Sequence, residues 1–249
     1  VGIAVSQKMA EAKYNTADHT IFDAKTFALA GDGCLQEGVA RESVAFAGHQ
    51  KLDNLILMYD SNEVTLDAMA DNTQSEDTGA IYAALGWEVF EIDGHNLAAV
   101  AEAVDKAKTS DNGQPKIIIL KTLIGKGIEE VAGTAGAHGE GGAKFSEGAR
   151  AKLGLPADKH FYVSNEVYAF FAKRTDELKA AYGEWGSVYS AWKAANADLA
   201  AELEAAAAGK RPTAQELLDA IPAFAEDAKI ATRAAGGKVL QPLAAKVPN

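Results

Sequence analysis

The chain has 249 residues, of which 48% are hydrophobic, and its mean hydropathy of −0.11 is typical of an ordinary globular protein. Its 24 basic and 35 acidic residues give a formal net charge of −11, which argues against a general nucleic-acid-binding surface and against binding to anionic membranes. The single cysteine, Cys34, excludes an internal disulfide and favours a reducing, cytoplasmic compartment, while no apolar run is long enough for a membrane span and no signal peptide is visible.

The first part of the chain alternates predicted helices and strands. The helices, recognised by apolar residues at helical spacing, are predicted at 1–14, 34–50, 78–85 and 97–108. The strands, recognised by short apolar or β-branched runs, are predicted at 27–30, 54–59, 87–92 and 116–123. Regular alternation of this kind predicts a doubly wound, parallel α/β sheet.

Polar residues follow the first two predicted strands at the points where those strands end. Gly31, Asp32 and Gly33 come directly after the first strand, and Asn62 follows the second. Because parallel strands of a β-α-β unit end at the same edge of the sheet, Asp32 and Asn62 are expected to lie side by side, and open α/β sheets bind ligands there. Carboxylate and amide oxygens suit a magnesium-sized cation, and Gly33 allows the close approach of a diphosphate at a helix N-terminus. The pattern predicts a metal-plus-diphosphate clamp, whereas an isolated Gly-Asp-Gly would be only a turn.

The stretch 31–64 resembles the thiamine-diphosphate-binding motif, in which Gly-Asp-Gly is followed by a spacer of just under thirty residues and then asparagine. Its segments GDGCLQEG and LILMYDSN are most similar to those of transketolase. The resemblance implies that Asp32, Asn62 and the backbone carbonyl of Val64 bind the metal. It also implies that Gly33 and Asn62 belong to the cofactor site, with Gly33 contacting the diphosphate.

Glycine is dense between residues 125 and 148, directly after the last predicted strand. Both a mobile connector and a loop that wraps a cofactor account for this composition. In transketolases a His-Gly pair at this place touches the diphosphate and the sugar substrate, and His138-Gly139 matches it. The resemblance implies a catalytic, cofactor-binding and substrate-binding role for His138, whereas an isolated loop histidine would simply be solvated. The chain departs from the family pattern at 140–142, where Glu-Gly-Gly replaces a small residue, proline and leucine.

Alanine, glutamate, lysine and aromatic residues dominate the later part of the chain, which predicts helices over 163–208 and 223–246. Thr213 and Glu216 have the spacing of a capping box, which marks the start of a short helix. In transketolases a comparable helical segment links the diphosphate-binding domain to a pyrimidine-binding domain. Arg233 matches the place of an arginine that grips the substrate's phosphate there, and a solvated or helix-capping arginine is the alternative.

The resemblance covers nearly the whole chain and suggests two parts. We expect a diphosphate- and magnesium-binding α/β domain at 1–155 and a helical linker at 156–249. A transketolase has further sequence on both sides of this region, so the chain is expected to be a piece of a longer protein.

The activity implied by the resemblance is transfer of a two-carbon ketol unit from a ketose phosphate to an aldose phosphate. The implied cofactors are thiamine diphosphate and Mg²⁺, with Ca²⁺ or Mn²⁺ able to replace Mg²⁺. Such enzymes are cytoplasmic homodimers of the pentose phosphate pathway. Glu37 and Glu42 match acidic residues near their dimer interface, although a solvated helix face also explains both. Two alternatives stay open, namely dihydroxyacetone synthase, which uses formaldehyde as acceptor, and a non-catalytic half-site chain that needs a complementary partner.

The histidines other than His138 are interpreted as structural or solvated. His95 follows Asp-Gly, a tripeptide that recurs in thiamine enzymes, and we interpret it as part of a turn. The sequence has no cluster with zinc-ligand spacing, no Gly-x-Ser-x-Gly, no Walker motif and no dinucleotide fingerprint.

Overall fold

A computed structural model describes residues 1–209 and 211–247, without the side chains of 140–142. The chain divides into two compact units, Val1–Trp185 and Gly186–Asn249. The boundary predicted at residue 155 differs from this division and stays a prediction. Among the described residues, every helix is either too short or too polar to cross a membrane.

A four-stranded parallel sheet forms the centre of the first unit. Its strands are β1 (Thr26–Gly31), β2 (Leu55–Ser61), β3 (Glu88–Asp93) and β4 (Lys116–Lys121), arranged in the order β1-β2-β4-β3. The helices of this unit are α1 (Gly2–Tyr14), α2 (Asp32–Gln36), α3 (Gly38–His49), α4 (Thr78–Ala84), α5 (Leu97–Thr109) and α6 (Ser146–Lys152), followed by the start of α7 (Asn165–Ala195). The alternation predicted from the sequence is therefore confirmed.

Helices cover the sheet on both faces, as a doubly wound fold requires. On one face, Ile56, Ile118 and Leu120 pack with Ala103 and Ala107 of α5. The opposite face is larger and brings the strands together with α1, α3 and α4 in one cluster, which includes Ala4, Ala47, Leu57, Tyr59, Tyr82 and Ile119. The inner strands β2 and β4 are buried on both faces, which explains their nearly continuous apolar sequences.

The helix predicted at 34–50 is broken in the structure. Glu37 has extended backbone angles, with φ −65° and ψ 136°, and it separates α2 from α3. In addition, α2 begins two residues earlier than predicted, so Asp32 lies in its first turn. Apolar periodicity could not reveal it, because a single extended residue barely changes the spacing of apolar side chains on either side.

The remaining part of the chain is helical, as its composition predicts. After α7 come α8 (Ala197–Ala207), α9 (Ala214–Ala220) and α10 (Thr232–Lys246). The capping box of α9 is confirmed, since Thr213 accepts a hydrogen bond from the Glu216 amide and the Glu216 side chain accepts one from the Thr213 amide. The helix predicted over 223–246 begins only at Thr232.

Candidate functional site

The carboxyl edge of the sheet brings together the residues of the predicted clamp. Gly31 at the end of β1 lies beside Asp60 in β2, because the two strands pair in parallel register. Asp32 follows directly on β1 and Asn62 directly on β2. The two predicted metal-binding side chains therefore lie next to each other, as the strand ends require.

The Asp32 carboxylate is buried and held by three donors. Its Oδ2 accepts hydrogen bonds from the backbone amides of Asn62 and Glu63, both at 3.1 Å. Its Oδ1 accepts a hydrogen bond of 2.6 Å from the hydroxyl of Tyr59. The residue is only 3% exposed, so a carboxylate at this position depends on these donors for its stability.

The Asn62 side chain is oriented by its neighbours. Its Nδ2 donates to Oδ2 of Asp60 at 3.0 Å, and its Oδ1 accepts from the backbone amide of Val64, also at 3.0 Å. Between them, Glu63 adopts a positive φ of 64°, which is uncommon for a residue with a side chain and is enriched at functional sites. The segment is thus a tight turn in which Asn62 Oδ1 faces the following backbone.

The oxygen donors at this edge fit a hard divalent cation. They comprise the Asp32 carboxylate, the Asn62 amide oxygen and the backbone carbonyl of Val64, a buried residue that forms an antiparallel bridge with Met69. No group of three or more His, Cys, Asp or Glu side chains with metal-binding geometry occurs in the described part of the chain. A set with one carboxylate is what Mg²⁺ uses when water and a phosphorylated ligand supply the remaining oxygens.

A polar cleft of about 540 Å³ opens beside this edge. Asp32, Tyr59 and Ser61 line it together with Lys121 and several acidic side chains, which are Glu63, Asp71, Glu76, Asp77 and Glu91. The excess of carboxylates gives the cleft a negative potential, which favours a cation over an unaccompanied anion. A diphosphate would therefore be expected to enter with its metal.

Gly33 stands exposed at the same edge. A Cβ added at this residue would meet no atom within 4 Å, so the space in front of its backbone is open. The glycine permits a ligand to approach the main chain, as the sequence predicts. Cys34 beside it is a free, exposed thiol.

The glycine-rich loop after β4 is folded against itself. Its residues Gly125 and Gly133 have positive φ angles, and a Cβ at Gly133 would lie 2.8 Å from the Leu123 side chain. Thr122, at the start of the loop, hydrogen-bonds to Oδ1 of Asp60. The loop therefore starts at the predicted clamp and has a defined local structure.

His138 lies in this loop between two short 3₁₀ turns, Ala135–Ala137 and Gly139–Phe145. Its side chain is exposed, and within the described residues it makes no hydrogen bond or ion pair with Asp32, Asn62 or Val64. The structure brings together the three metal-binding candidates, but it leaves the predicted role of His138 as a prediction.

His95 has a structural contact. Its Nε2 accepts a hydrogen bond of 2.8 Å from the backbone amide of Leu123, and its own amide donates to Oδ1 of Asp93 at 2.9 Å. A Cβ at Gly94 would lie 2.9 Å from Cβ of Leu120, so the turn packs tightly on the end of β4. These contacts support the interpretation of His95 as part of a turn.

Among the described residues, the other predicted site residues make no hydrogen bond with Asp32 or Asn62. Glu37 and Glu42 are exposed, with Glu37 at the start of α3. Arg233 is exposed in the first turn of α10 and belongs to the second unit.

Two further residues contact the predicted metal-binding side chains but are not predicted from the sequence, namely Tyr59 and Asp60. Tyr59 contacts Asp32, and Asp60 contacts both Asn62 and Thr122. The sequence does contain a pattern that could have identified them. Tyr59 carries a hydroxyl inside a strand that is otherwise apolar, and the polar run Asp-Ser-Asn follows it directly. Polar groups in a buried strand need partners, so their nearest candidates are the polar residues at the strand ends.

Comparison with known proteins gives a consistent match. Residues 1–212 match the family described as transketolase, thiamine diphosphate binding domain. The chain is 54% identical to transketolase from Physarum polycephalum and 48% identical to that from Dictyostelium discoideum, and in both cases 100% of the chain spans only 37% of the relative.

Solved structures show the same fold. Transketolase from Pichia stipitis in complex with sedoheptulose 7-phosphate superposes with a TM-score of 0.84 at 34% identity, covering 99% of this chain and 36% of that one. Transketolase from Leishmania mexicana gives a TM-score of 0.84 at 30% identity with the same coverage.

Proposed function

Because the chain belongs to the transketolase family through its thiamine-diphosphate-binding domain, we propose that it forms the diphosphate-binding part of a ketol-transferring enzyme. The reaction moves a two-carbon ketol unit from a ketose phosphate to an aldose phosphate. The observation that carries the proposal is the adjacency of Asp32 and Asn62, whose backbone amide donates to the Asp32 carboxylate at 3.1 Å. The chain spans 37% of the length of these relatives, so the activity is proposed for the longer protein.

In this proposal Mg²⁺ is held by Asp32, Asn62 and the carbonyl of Val64, and Ca²⁺ or Mn²⁺ can replace it. Gly33 presents open backbone to the diphosphate, and the acidic cleft favours the metal-bound form of the cofactor. Thiamine diphosphate, when bound, supplies the carbanion chemistry of the two-carbon transfer. The protein's part is to bind the metal and orient the diphosphate.

We assign His138 to the contact with the diphosphate and the sugar. Its loop starts at Thr122, which hydrogen-bonds to Asp60, and Asp60 in turn accepts from Asn62. This chain of contacts links the loop to the metal-binding residues. The two ring nitrogens of an imidazole can hydrogen-bond to the oxygens of a diphosphate and of a sugar.

The direct test is an assay of the full-length protein with a ketose phosphate as donor and an aldose phosphate as acceptor, with and without thiamine diphosphate and Mg²⁺. Cofactor-dependent formation of the two exchanged sugar phosphates is expected. Turnover with formaldehyde in place of the aldose would instead indicate a dihydroxyacetone synthase. No turnover with either acceptor, in a protein that is folded, would refute ketol transfer.

Dimerisation, the cytoplasmic location and a place in the pentose phosphate pathway belong to the same proposal. The exposed acidic residues Glu37 and Glu42 are available for an interface, and the free thiol of Cys34 is compatible with a reducing compartment. The molar mass of the full-length protein in solution checks the dimer, and charge reversal at Glu37 or Glu42 should weaken it if these residues lie at the interface.

The chain spans only 37% of the length of these relatives, which leads to a prediction about how strongly the cofactor stabilises it. A ligand that binds only the folded state adds about 2.7 kcal/mol at a hundred times its dissociation constant. Thiamine diphosphate with Mg²⁺ should therefore raise the melting temperature of the full-length protein clearly, and that of residues 1–249 alone far less. Thermal unfolding of both measures this, and equal shifts would show that this chain contains the whole cofactor site.

Arg233 is proposed to bind the phosphate of the sugar substrate. A guanidinium can hold a phosphate through two parallel hydrogen bonds, and hydrogen bonds to charged groups contribute roughly 1.5–3 kcal/mol. In the full-length enzyme, Arg233→Ala should weaken binding of a ketose phosphate by about ten- to hundredfold and leave the unphosphorylated donor hydroxypyruvate nearly unaffected. Kinetics with both donors at saturating cofactor measure this.

Lys238→Ala is the matched control, since Lys238 is an exposed cation of the same helix. It should change neither donor. Equal losses with both donors in Arg233→Ala would make the arginine structural, and no loss with either would make it a surface residue.

A further inference from the structure

Tyr59 is a buried residue of β2 that points its hydroxyl at the metal-binding candidate Asp32. The phenol oxygen lies 2.6 Å from Oδ1 of Asp32, and the tyrosine is only 3% exposed. Its ring belongs to the core cluster beneath the sheet, together with Leu57, Tyr82 and Ile119. The hydroxyl is therefore carried by a rigid strand and held by close packing.

We propose that Tyr59 is a positioning residue, which fixes the Asp32 carboxylate so that a single oxygen, Oδ1, is presented to the divalent cation. This inference rests on the proposed function, because it concerns how that same site holds its metal. Nothing in the family match or in the sequence pattern assigns a role to this tyrosine.

The hydrogen bonds of Asp32 carry the argument. A carboxylate has two oxygens with about four lone-pair directions in all. The amides of Asn62 and Glu63 take both directions of Oδ2, and the Tyr59 hydroxyl takes one of Oδ1. One direction remains, and it belongs to Oδ1. The carboxylate is thus prepared for coordination through one oxygen, which suits the strict octahedral geometry of Mg²⁺.

The geometry makes the tyrosine the donor in this contact. A carboxylate only accepts hydrogen bonds, so the phenol donates to Oδ1 of Asp32 at 2.6 Å. Because the ring is buried in the core cluster, the hydroxyl holds the carboxylate in one orientation.

Removing the hydroxyl should loosen the carboxylate and free a second lone pair on Oδ1. Outer partners of metal ligands typically contribute about 10- to 100-fold to metal affinity. In Tyr59→Phe we expect Mg²⁺ to bind about tenfold or more weakly. Ca²⁺ accepts one or two oxygens of a carboxylate and tolerates flexible geometry, so its affinity should fall less. The ratio of Mg²⁺ to Ca²⁺ affinity should therefore drop.

The experiment is a calorimetric titration of the full-length protein with Mg²⁺ and, separately, with Ca²⁺, in the presence of a fixed excess of thiamine diphosphate, with the heat of metal binding to the free cofactor subtracted. Tyr82→Phe is the matched control, because it removes a hydroxyl from another buried tyrosine of the same core cluster. The control should leave both affinities unchanged. Far-ultraviolet circular dichroism verifies that each variant is folded.

The outcomes separate the two hypotheses. If the wild-type protein binds neither metal in the presence of thiamine diphosphate, the proposed function fails. If wild type binds but Tyr59→Phe keeps its Mg²⁺ affinity, or loses Mg²⁺ and Ca²⁺ equally, or behaves like Tyr82→Phe, the positioning role is overturned. Should Tyr59→Phe not fold, Tyr59→Met removes the same hydroxyl while filling part of the space of the ring, and an unchanged ratio of Mg²⁺ to Ca²⁺ affinity in that variant would overturn the proposal.

Discussion

Asp32→Ala in the full-length protein is expected to abolish metal-dependent binding of thiamine diphosphate and with it the ketol-transfer activity. The substitution removes the carboxylate of the proposed donor set and leaves the diphosphate charge uncompensated. It also leaves the Tyr59 hydroxyl and the amides of Asn62 and Glu63 without their acceptor, and each such buried group costs about 1–3 kcal/mol. Metal affinity should fall by more than about 100-fold, beyond the loss for an outer partner.

Titration of the cofactor at several Mg²⁺ concentrations measures this effect, and excess Mg²⁺ should restore little. Asp32→Asn separates charge from packing, since it keeps the size of the side chain and removes its charge. Asp71→Ala is the control, because Asp71 is an exposed acid that lines the same cleft. Wild-type affinity for thiamine diphosphate in Asp32→Ala would show that the clamp is assigned wrongly.

Gly48→Ala is expected to give the largest loss of folding stability. Gly48 lies in α3 where the helix meets the turn between α4 and β3. A Cβ at this position would overlap the backbone carbonyl oxygen of Leu85 and lie 3.4 Å from the Trp87 ring. The Trp87 indole also donates to the Val44 carbonyl of α3 at 3.0 Å, so the helix cannot retreat without breaking this bond.

Overpacking against side chains costs about 1–3 kcal/mol, and a clash with backbone should exceed that range because the backbone has few alternative positions. Chemical denaturation of the full-length protein measures the change in the free energy of unfolding. Gly183→Ala in α7 is the matched control, because a Cβ there would meet no atom within 4 Å. Helix propensity alone should then make the control neutral or slightly stabilising. A loss below about 1 kcal/mol in Gly48→Ala would mean that α3 is not tightly packed here.

The predicted roles of His138 and Arg233 depend on ligands and on chain segments beyond the described contacts. His138 lies in a glycine-rich loop, where backbone freedom separates sequence position from spatial position. Arg233 belongs to a different compact unit from Asp32. No described contact joins the side chain of either residue to Asp32 or Asn62, so substrate and metal titrations are needed to test their roles.

The sequence by itself determined the parallel α/β sheet and the adjacency of Asp32 and Asn62. Both follow from local rules, since apolar periodicity defines the strands and parallel strands must end at one edge. The tertiary structure decided three further features. The extended residue Glu37 separates α2 from α3, Gly48 allows α3 to approach Leu85, and Tyr59 donates to Asp32 across the strand pair. Each of these depends on which atoms of distant segments meet at close range, and spacing along one segment carries no information about that.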